Sequence, residues 1–194
     1  MNAEAAARGP SLSLIGVPNC GKTALFNRLT GSRQKVANYP GVTVERKEGR
    51  FVGPKSGRVY RVLDLPGAYS LEATSLDEAI ARDVVLGRHA SEPAPDLLVC
   101  VVDATNLRLN LRLVLDLKRL QTPLIVALNM SDLAKERGFR LDRGALEAAI
   151  GTTAQLKTAW NMKNSTAAKS SGPAIGCSTS ASRRASSMSR TGTR

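Results

Sequence analysis

One eight-residue segment limits the folds open to this chain more than any other feature. It reads Gly16-Val17-Pro18-Asn19-Cys20-Gly21-Lys22-Thr23, follows a strand-like stretch from Ser11 to Ile15, and precedes a helix-like stretch from Ala24 to Leu29. A glycine-rich turn between a strand and a helix directs backbone N–H groups and the positive end of the helix at one point, where phosphate oxygens bind. The segment therefore predicts a phosphate-binding loop over Gly16 to Ala24, in which Lys22 reaches the outer phosphates and Thr23 ligates magnesium.

The composition of the chain fits one folded domain. It has 194 residues, of which 42% are hydrophobic, and this suffices for one core of ordinary size.

No apolar run reaches the roughly 18 residues of a membrane-spanning helix, and residues 1–10 lack the apolar centre of a signal peptide. The three cysteines lack metal-ligand spacing, so neither a disulfide framework nor a zinc site is predicted. We expect a cytosolic domain over residues 11–151 behind a flexible segment 1–10.

The positive charge of the chain is concentrated in its last part. The net charge is +12, and residues 152–194 carry seven Lys or Arg and no Asp or Glu, which leaves +5 for residues 1–151. This Ser-, Thr- and Ala-rich tail has no periodic pattern, so we expect it to be disordered. Its abrupt start favours a truncated or frame-shifted coding sequence over a natural basic arm. The remaining +5 gives no reason to expect nucleic acid as a partner.

Strand-like and helix-like segments alternate after the phosphate loop. This order predicts an α/β fold, with a mostly parallel sheet, helices on both faces, and ligands at the carboxyl ends of the strands. The last strand of such a sheet is not recognisable after Gly151. The predicted elements are strands at 42–52, 58–64, 96–102 and 123–129, and helices at 76–86, 110–120 and 142–150.

Two further motifs follow predicted strands. In Asp64-Leu65-Pro66-Gly67, the carboxylate suits a magnesium-bound water and the Gly67 N–H suits the terminal phosphate of a nucleotide. In Asn129-Met130-Ser131-Asp132, the aspartate can accept two hydrogen bonds from a guanine ring, while Asn129 joins this loop to the phosphate loop. Each motif alone is common in turns and helix caps. Their order and positions predict GTP and GDP as ligands.

A third segment, Gly41-Val42-Thr43, offers a second hydroxyl ligand for magnesium when its loop closes over the third phosphate. A threonine on a surface strand is the alternative interpretation. The residue after Gly67 is Ala68, where many GTPases carry a glutamine that orients the attacking water. We therefore expect GTP hydrolysis to be slow, about 10⁻⁴ to 10⁻³ per second without help, unless another group stabilises the transition state.

Several stretches exceed what nucleotide chemistry requires, and together they resemble the cytosolic G domain of the ferrous iron transport protein B family over about residues 11–150. The resemblance implies a Ras-like GTPase that regulates iron(II) passage through a membrane-embedded transport domain, its partner at the cytoplasmic face of the bacterial inner membrane. It also implies a potassium ion at Asn19 that helps to neutralise transition-state charge. These stretches are Pro18–Asn27, Leu29–Gln34, Gly41–Gly49, Asp64–Leu71, Val101–Leu107 and Ala127–Asp132.

The chain departs from the family pattern in some places. Val17 replaces the usual asparagine, and neither the Ser-Ala loop that contacts guanine nor the following helical domain and membrane spans are recognisable. Two other interpretations stay open: an RNA-associated or ribosome-assembly GTPase that uses the tail as an RNA-binding arm, and a fragment without function. The sequence also leaves open whether the chain forms a homo-oligomer.

Overall fold

Strands and helices alternate along the computed structural model, which describes residues 9–31, 34–150 and 157–158. Along this part of the chain the order is β1, α1, β2, β3, β4, α2, β5, α3, β6, α4, α5 and β7. The strands are β1 (Ser11–Gly16), β2 (Gln34–Asn38), β3 (Glu45–Val52), β4 (Val59–Asp64), β5 (Leu97–Asp103), β6 (Leu124–Asn129) and β7 (Lys157–Thr158). The helices are α1 (Lys22–Thr30), α2 (Leu76–Val85), α3 (Leu107–Lys118), α4 (Ser131–Glu136) and α5 (Arg143–Ile150).

The strands form one sheet in the order β2-β3-β4-β1-β5-β6-β7. Strand β1 pairs in parallel with β4 and β5, and β6 pairs in parallel with β5 and β7. Strands β2, β3 and β4 are joined by antiparallel pairing. The mostly parallel α/β sheet predicted from the sequence is therefore confirmed. No helix in the described part of the chain is long and apolar enough to cross a membrane.

Two buried clusters of apolar side chains cover the two faces of the sheet. On one face Leu25 and Phe26 of α1 pack against β1, β4 and β5. On the other face α2, α3 and the end of α5 pack against the same central strands. Cys100 of β5 is 1% exposed and belongs to this second cluster. Both faces of β1 and β5 are covered, so β5 is almost continuously apolar and even Ser13 of β1 is buried. The two strands fix the positions of the loops that follow them.

The structure differs from the sequence prediction at several element boundaries. Strand β2 was not predicted, β3 begins at Glu45 rather than residue 42, and α3 begins at Leu107 rather than residue 110. The short helix α4 was also missed. At the position of the unrecognised last strand, the two residues of β7 pair with Ala127 and Leu128 of β6.

Asp142 caps the start of α5, because its carboxylate accepts a hydrogen bond from the Ala145 N–H at 2.9 Å. The flexible segment predicted for residues 1–10 lies outside the described residues except for Gly9 and Pro10. The disordered tail predicted for 152–194 lies outside them except for β7.

Candidate nucleotide-binding site

The predicted phosphate, magnesium and base loops all leave the same edge of the sheet. The phosphate loop (residues 16–23) follows β1, the Asp64 loop (residues 64–67) follows β4, and the base loop (residues 129–132) follows β6. These strands are parallel within the central part of the sheet, so their carboxyl ends lie side by side. The arrangement brings together residues that are more than 100 positions apart in the chain.

One cavity of about 470 Å³ collects the residues predicted to hold magnesium and the outer phosphates. Lys22 and Thr23 enter it from the start of α1, Asp64 from the end of β4, and Thr43 from the loop before β3. Other residues of its wall were not singled out from the sequence: Val44, Glu45, Lys47 and Asp77. Within the described residues no group of three or more His, Cys, Asp or Glu could hold a metal ion. The oxygen donors in the cavity wall are the hydroxyls of Thr23 and Thr43 and the carboxylates of Asp64, Glu45 and Asp77.

The backbone of the phosphate loop turns sharply at Asn19 and Gly21, where φ is +63° and +84° respectively. Position 21 requires glycine for two reasons. A positive φ is unfavourable for other residues, and a Cβ atom there would lie 2.0 Å from Nδ2 of Asn129. The first turn of α1 begins directly afterwards, because the Leu25 N–H donates to the Gly21 carbonyl at 3.1 Å. The loop therefore leads straight into a helix N-terminus, as anion binding requires.

Side chains of the phosphate loop separate into an inner and an outer set. Val17 and Cys20 are 4% and 1% exposed and pack into the α1-side core, which is the apolar cluster between α1 and the sheet. Pro18, Asn19 and Ala24 are exposed. Burial raises the pKa of the Cys20 thiol, so the thiol stays neutral. The apolar Val17 is thus accommodated as a core side chain. The backbone of the loop and the side chains of Asn19, Lys22 and Thr23 remain open to a ligand.

Asp64 is the centre of polar contacts in the cavity. Its carboxylate accepts hydrogen bonds from Lys22 Nζ at 2.7 Å and from Thr23 Oγ1 at 3.2 Å. The Asp64 side chain is only 4% exposed, so the positive charge of Lys22 compensates a carboxylate that would otherwise be costly to bury. Lysine, threonine and aspartate are therefore held within one hydrogen-bonded group.

The Asp64 loop is attached to β1 and to the phosphate loop through its backbone. The Leu65 N–H donates to Leu14 at 3.0 Å, and the Ala68 N–H donates to Gly16 at 3.1 Å. A Cβ atom at Gly67 would lie 3.0 Å from the Pro18 ring, so these two loops are in close contact. Leu65 is buried, Pro66 lines the cavity, and Ala68 is 1% exposed. Ala68 therefore presents no polar group to a water in the cavity.

The base loop is joined to the phosphate loop by a side-chain hydrogen bond. Asn129 donates from Nδ2 to the carbonyl oxygen of Cys20 at 2.9 Å. The Asn129 carbonyl in turn accepts from the Ala104 N–H at 2.9 Å, which fixes it to the end of β5. Met130 has a φ of +56°, and this turn leaves Asp132 exposed in the first turn of α4. The Asp132 carboxylate is therefore open to a ligand.

Glu78 fixes the segment after the Asp64 loop, and the sequence analysis missed it. Its carboxylate accepts from the Tyr69 N–H at 3.1 Å and from the Thr74 N–H and hydroxyl at 2.9 and 2.8 Å. The Thr74 N–H bond, the Thr74 hydroxyl and the Tyr69 N–H lower the pKa of Glu78. A sequence signal existed, because Ser75 and Glu78 have capping-box spacing and Ser75 does cap α2.

Comparisons with known proteins agree on one family. The model of the ferrous iron transport protein B family matches residues 11–170. The Fe(2+) transporter FeoB of Escherichia coli is 51% identical over 145 residues, which are 73% of this chain and 18% of that protein. The chain therefore spans less than a fifth of this relative's length.

Solved structures show the same similarity. The G domain of the T. maritima FeoB iron transporter is 39% identical with a TM-score of 0.67, and the match covers 78% of this chain and 89% of that chain. A GDP-bound variant of the S. thermophilus FeoB G domain is 39% identical with a TM-score of 0.68, and the match covers 78% of this chain and 55% of that chain.

Proposed function

The chain belongs to the ferrous iron transport protein B family, and on that premise we propose that residues 11–151 form a G domain that binds GTP and GDP and hydrolyses GTP. The observation that carries this proposal is the cavity shared by Lys22, Thr23, Thr43 and Asp64. A helix N-terminus, a lysine and two hydroxyls around one space suit a triphosphate better than a neutral ligand.

The donor set of the cavity fits magnesium. The hydroxyls of Thr23 and Thr43 and the carboxylate of Asp64 are hard oxygen donors, which magnesium prefers. When bound, magnesium neutralises charge on the outer phosphates. In this proposal Thr23 and Thr43 ligate the ion directly, and Asp64 holds one of its waters.

The residues of the chain then orient the reacting groups and stabilise charge, and none forms a covalent bond with the nucleotide. Attack of water on the terminal phosphorus develops charge on the phosphate oxygens, which Lys22 and the Gly67 N–H stabilise. Asp132 and Asn129 hold the guanine base and its loop. Since Ala68 is buried and cannot orient the water, we propose slow hydrolysis that a potassium ion at the exposed Asn19 accelerates.

Phosphate release measured in potassium and in sodium tests this proposal. We expect a rate at least several-fold higher in potassium, and we expect the Asn19→Ala variant to lose that difference while it still binds a fluorescent GDP analogue. The matched control is Asn27→Ala, which changes an exposed asparagine on α1 outside the cavity. Equal rates in the two salts would contradict the role of Asn19. Absence of GDP binding at about 100 μM would instead support a fragment without function.

The role in iron transport is a proposal about a longer protein. In that protein we place this domain on the cytoplasmic face of the membrane, where its nucleotide state regulates iron(II) passage through a membrane-embedded domain. The family match, which extends over residues 11–170, favours this function over an RNA-associated GTPase.

A further inference from the structure

Tyr39 is a fully buried aromatic residue in the loop that carries Thr43. It is 1% exposed, and its hydroxyl is the only buried side-chain oxygen or nitrogen of the described residues without a hydrogen-bond partner. Burial raises the pKa of this hydroxyl, so it stays protonated. An unpaired buried hydroxyl is unfavourable, so the ring, not the hydroxyl, accounts for the position of this side chain.

The Tyr39 backbone closes the loop that carries Thr43. The Tyr39 N–H donates to the Val44 carbonyl at 2.9 Å, and the Val42 N–H donates to the Tyr39 carbonyl at 3.2 Å. These bonds close residues 39–44 into a compact turn, with Gly41 at a φ of +78°. Val42 and Val44 pack against the apolar cluster on the face of the sheet that α2 and α3 cover. Thr43 lies between them and lines the phosphate cavity. Thr43 itself is exposed, whereas its two neighbours pack against the core.

The Tyr39 ring contacts His89 edge-on, with 5.2 Å between the ring centroids and an interplanar angle of 68°. His89 lies in the connection after α2, where its N–H donates to the Asp83 carbonyl at 3.1 Å and its carbonyl accepts from the Glu92 N–H at 3.3 Å. Its Nδ1 lies 3.3 Å from the Ser91 N–H. These contacts hold the His89 backbone and ring in one orientation beneath Tyr39.

Glu92 ties this connection to the antiparallel strands. Its side chain is 2% exposed and pairs with Arg46 of β3 at 2.5 Å and with Arg61 of β4 at 2.6 Å. Both arginines also pair with Glu48. Although burial opposes it, the hydrogen bonds from Arg61 and Arg46 lower the pKa of Glu48, which keeps the group charged. Tyr39 is thus connected to strands β3 and β4 through contacts with His89 and Glu92.

We propose that Tyr39 is a positioning residue for Thr43, and that its ring, held against His89, places the Thr43 hydroxyl where magnesium and the third phosphate bind. This inference rests on the proposed function, because Thr43 matters only if the cavity holds GTP. GDP lacks the third phosphate that draws this loop in. Loss of the ring is therefore expected to weaken GTP binding and hydrolysis selectively.

The test compares Tyr39→Ala, Tyr39→Phe and Leu113→Ala. Leu113 is 0% exposed in the same core cluster but lies on α3, away from the Thr43 loop, so Leu113→Ala controls for general destabilisation. With magnesium present, affinities for GDP and for a non-hydrolysable GTP analogue are measured, together with the rate of phosphate release. We expect Tyr39→Ala to lose about tenfold or more in GTP-analogue affinity and in kcat, with GDP affinity within about twofold of the original chain. Tyr39→Phe should match the original chain, because the hydroxyl has no partner.

His89→Ala keeps the Tyr39 ring and supplies a second variant if Tyr39→Ala does not fold. We expect it to lower the ratio of GTP-analogue to GDP affinity in the same direction by a smaller factor. Three outcomes would each overturn the inference. They are an equal fall in GTP-analogue and GDP affinity for Tyr39→Ala, an unchanged affinity ratio for His89→Ala, and the same change of that ratio in Leu113→Ala. If the unaltered chain binds no GDP, the proposed function fails instead, and this outcome is distinguishable from the others.

Discussion

At the scale of single residues, the site depends on which way each side chain of a loop points. Val17 and Cys20 point into the core while Pro18 and Asn19 face outward, so the core holds the phosphate loop and leaves its amides available. In the base loop, Asn129 bonds to the Cys20 carbonyl, whereas Asp132 is exposed. Asp132 is therefore the side chain whose replacement should alter base recognition without disturbing the phosphate loop.

The Asp132→Asn substitution should exchange guanine for xanthine preference. A carboxylate accepts from both the ring N–H and the amino group of guanine, whereas an amide offers one acceptor and one donor, which suits the second carbonyl of xanthine. We expect GDP affinity to fall about 100-fold, on the order of 2–3 kcal/mol for charged hydrogen bonds, and xanthosine diphosphate affinity to rise. Fluorescence titration with both nucleotides measures this. Lys135→Ala, on the exposed side of the same helix, should change neither affinity.

At the scale of elements, the sequence predicted those segments whose burial leaves a periodic pattern. Strands β5 and β6 are apolar because both faces are covered, β1 alternates serine with leucine, and all three strands were found. All five residues of β2 are exposed, and it is held by backbone pairing to β3 alone, so Gln34-Lys35-Val36-Ala37-Asn38 carries no alternation to detect. Helix α4 has six residues, too few for a helical period to show.

The Glu78 contacts predict a pH dependence of stability. Because the folded-state pKa of Glu78 is lowered, its contribution is complete above the unfolded pKa of about 4.3 and is lost as pH falls through the folded value. We expect Glu78→Gln to be less stable than the original chain by about 1 kcal/mol at neutral pH, and the difference to shrink as the pH falls below the unfolded pKa. Urea unfolding across this range measures both free energies.

Glu48, whose pKa is also lowered, titrates in both proteins, so its effect cancels in the difference. A gap between the two unfolding free energies that stays constant with pH would show that the Glu78 charge does not hold the Tyr69 to Thr74 segment. The cap of α2 by Ser75 would then act alone.

At the scale of the whole molecule, the motifs could be predicted because their order along the chain and their position after strands are fixed by a parallel sheet. Lys22, Asp64 and Asn129 were recognisable on this basis. Tyr39 and Glu92 were not, because they contact the rest of the site only through tertiary packing between the loop before β3, the connection after α2 and the strands. No spacing in the sequence records such contacts.

The similarity to a much longer transporter predicts that this domain can act within one. Since the chain is 51% identical to the E. coli protein over 145 residues, we expect a chimaera of that transporter carrying residues 11–150 to take up radioactive iron(II) in cells that lack their own transporter. Lys22→Ala in the chimaera should abolish uptake, because it removes the charge that we propose binds the outer phosphates. Undiminished uptake by the Lys22→Ala chimaera would separate iron passage from this nucleotide site.

The direction of β1 has a practical consequence for experiments on single molecules and surfaces. Its amino end is fixed at the opposite edge from the cavity, where the Pro10 carbonyl accepts from the Arg61 N–H at 3.0 Å. A tether or fluorescent label attached ahead of Gly9 therefore leaves the nucleotide opening facing away from its support. Immobilised chains should exchange their ligand with the surrounding buffer as freely as unattached ones.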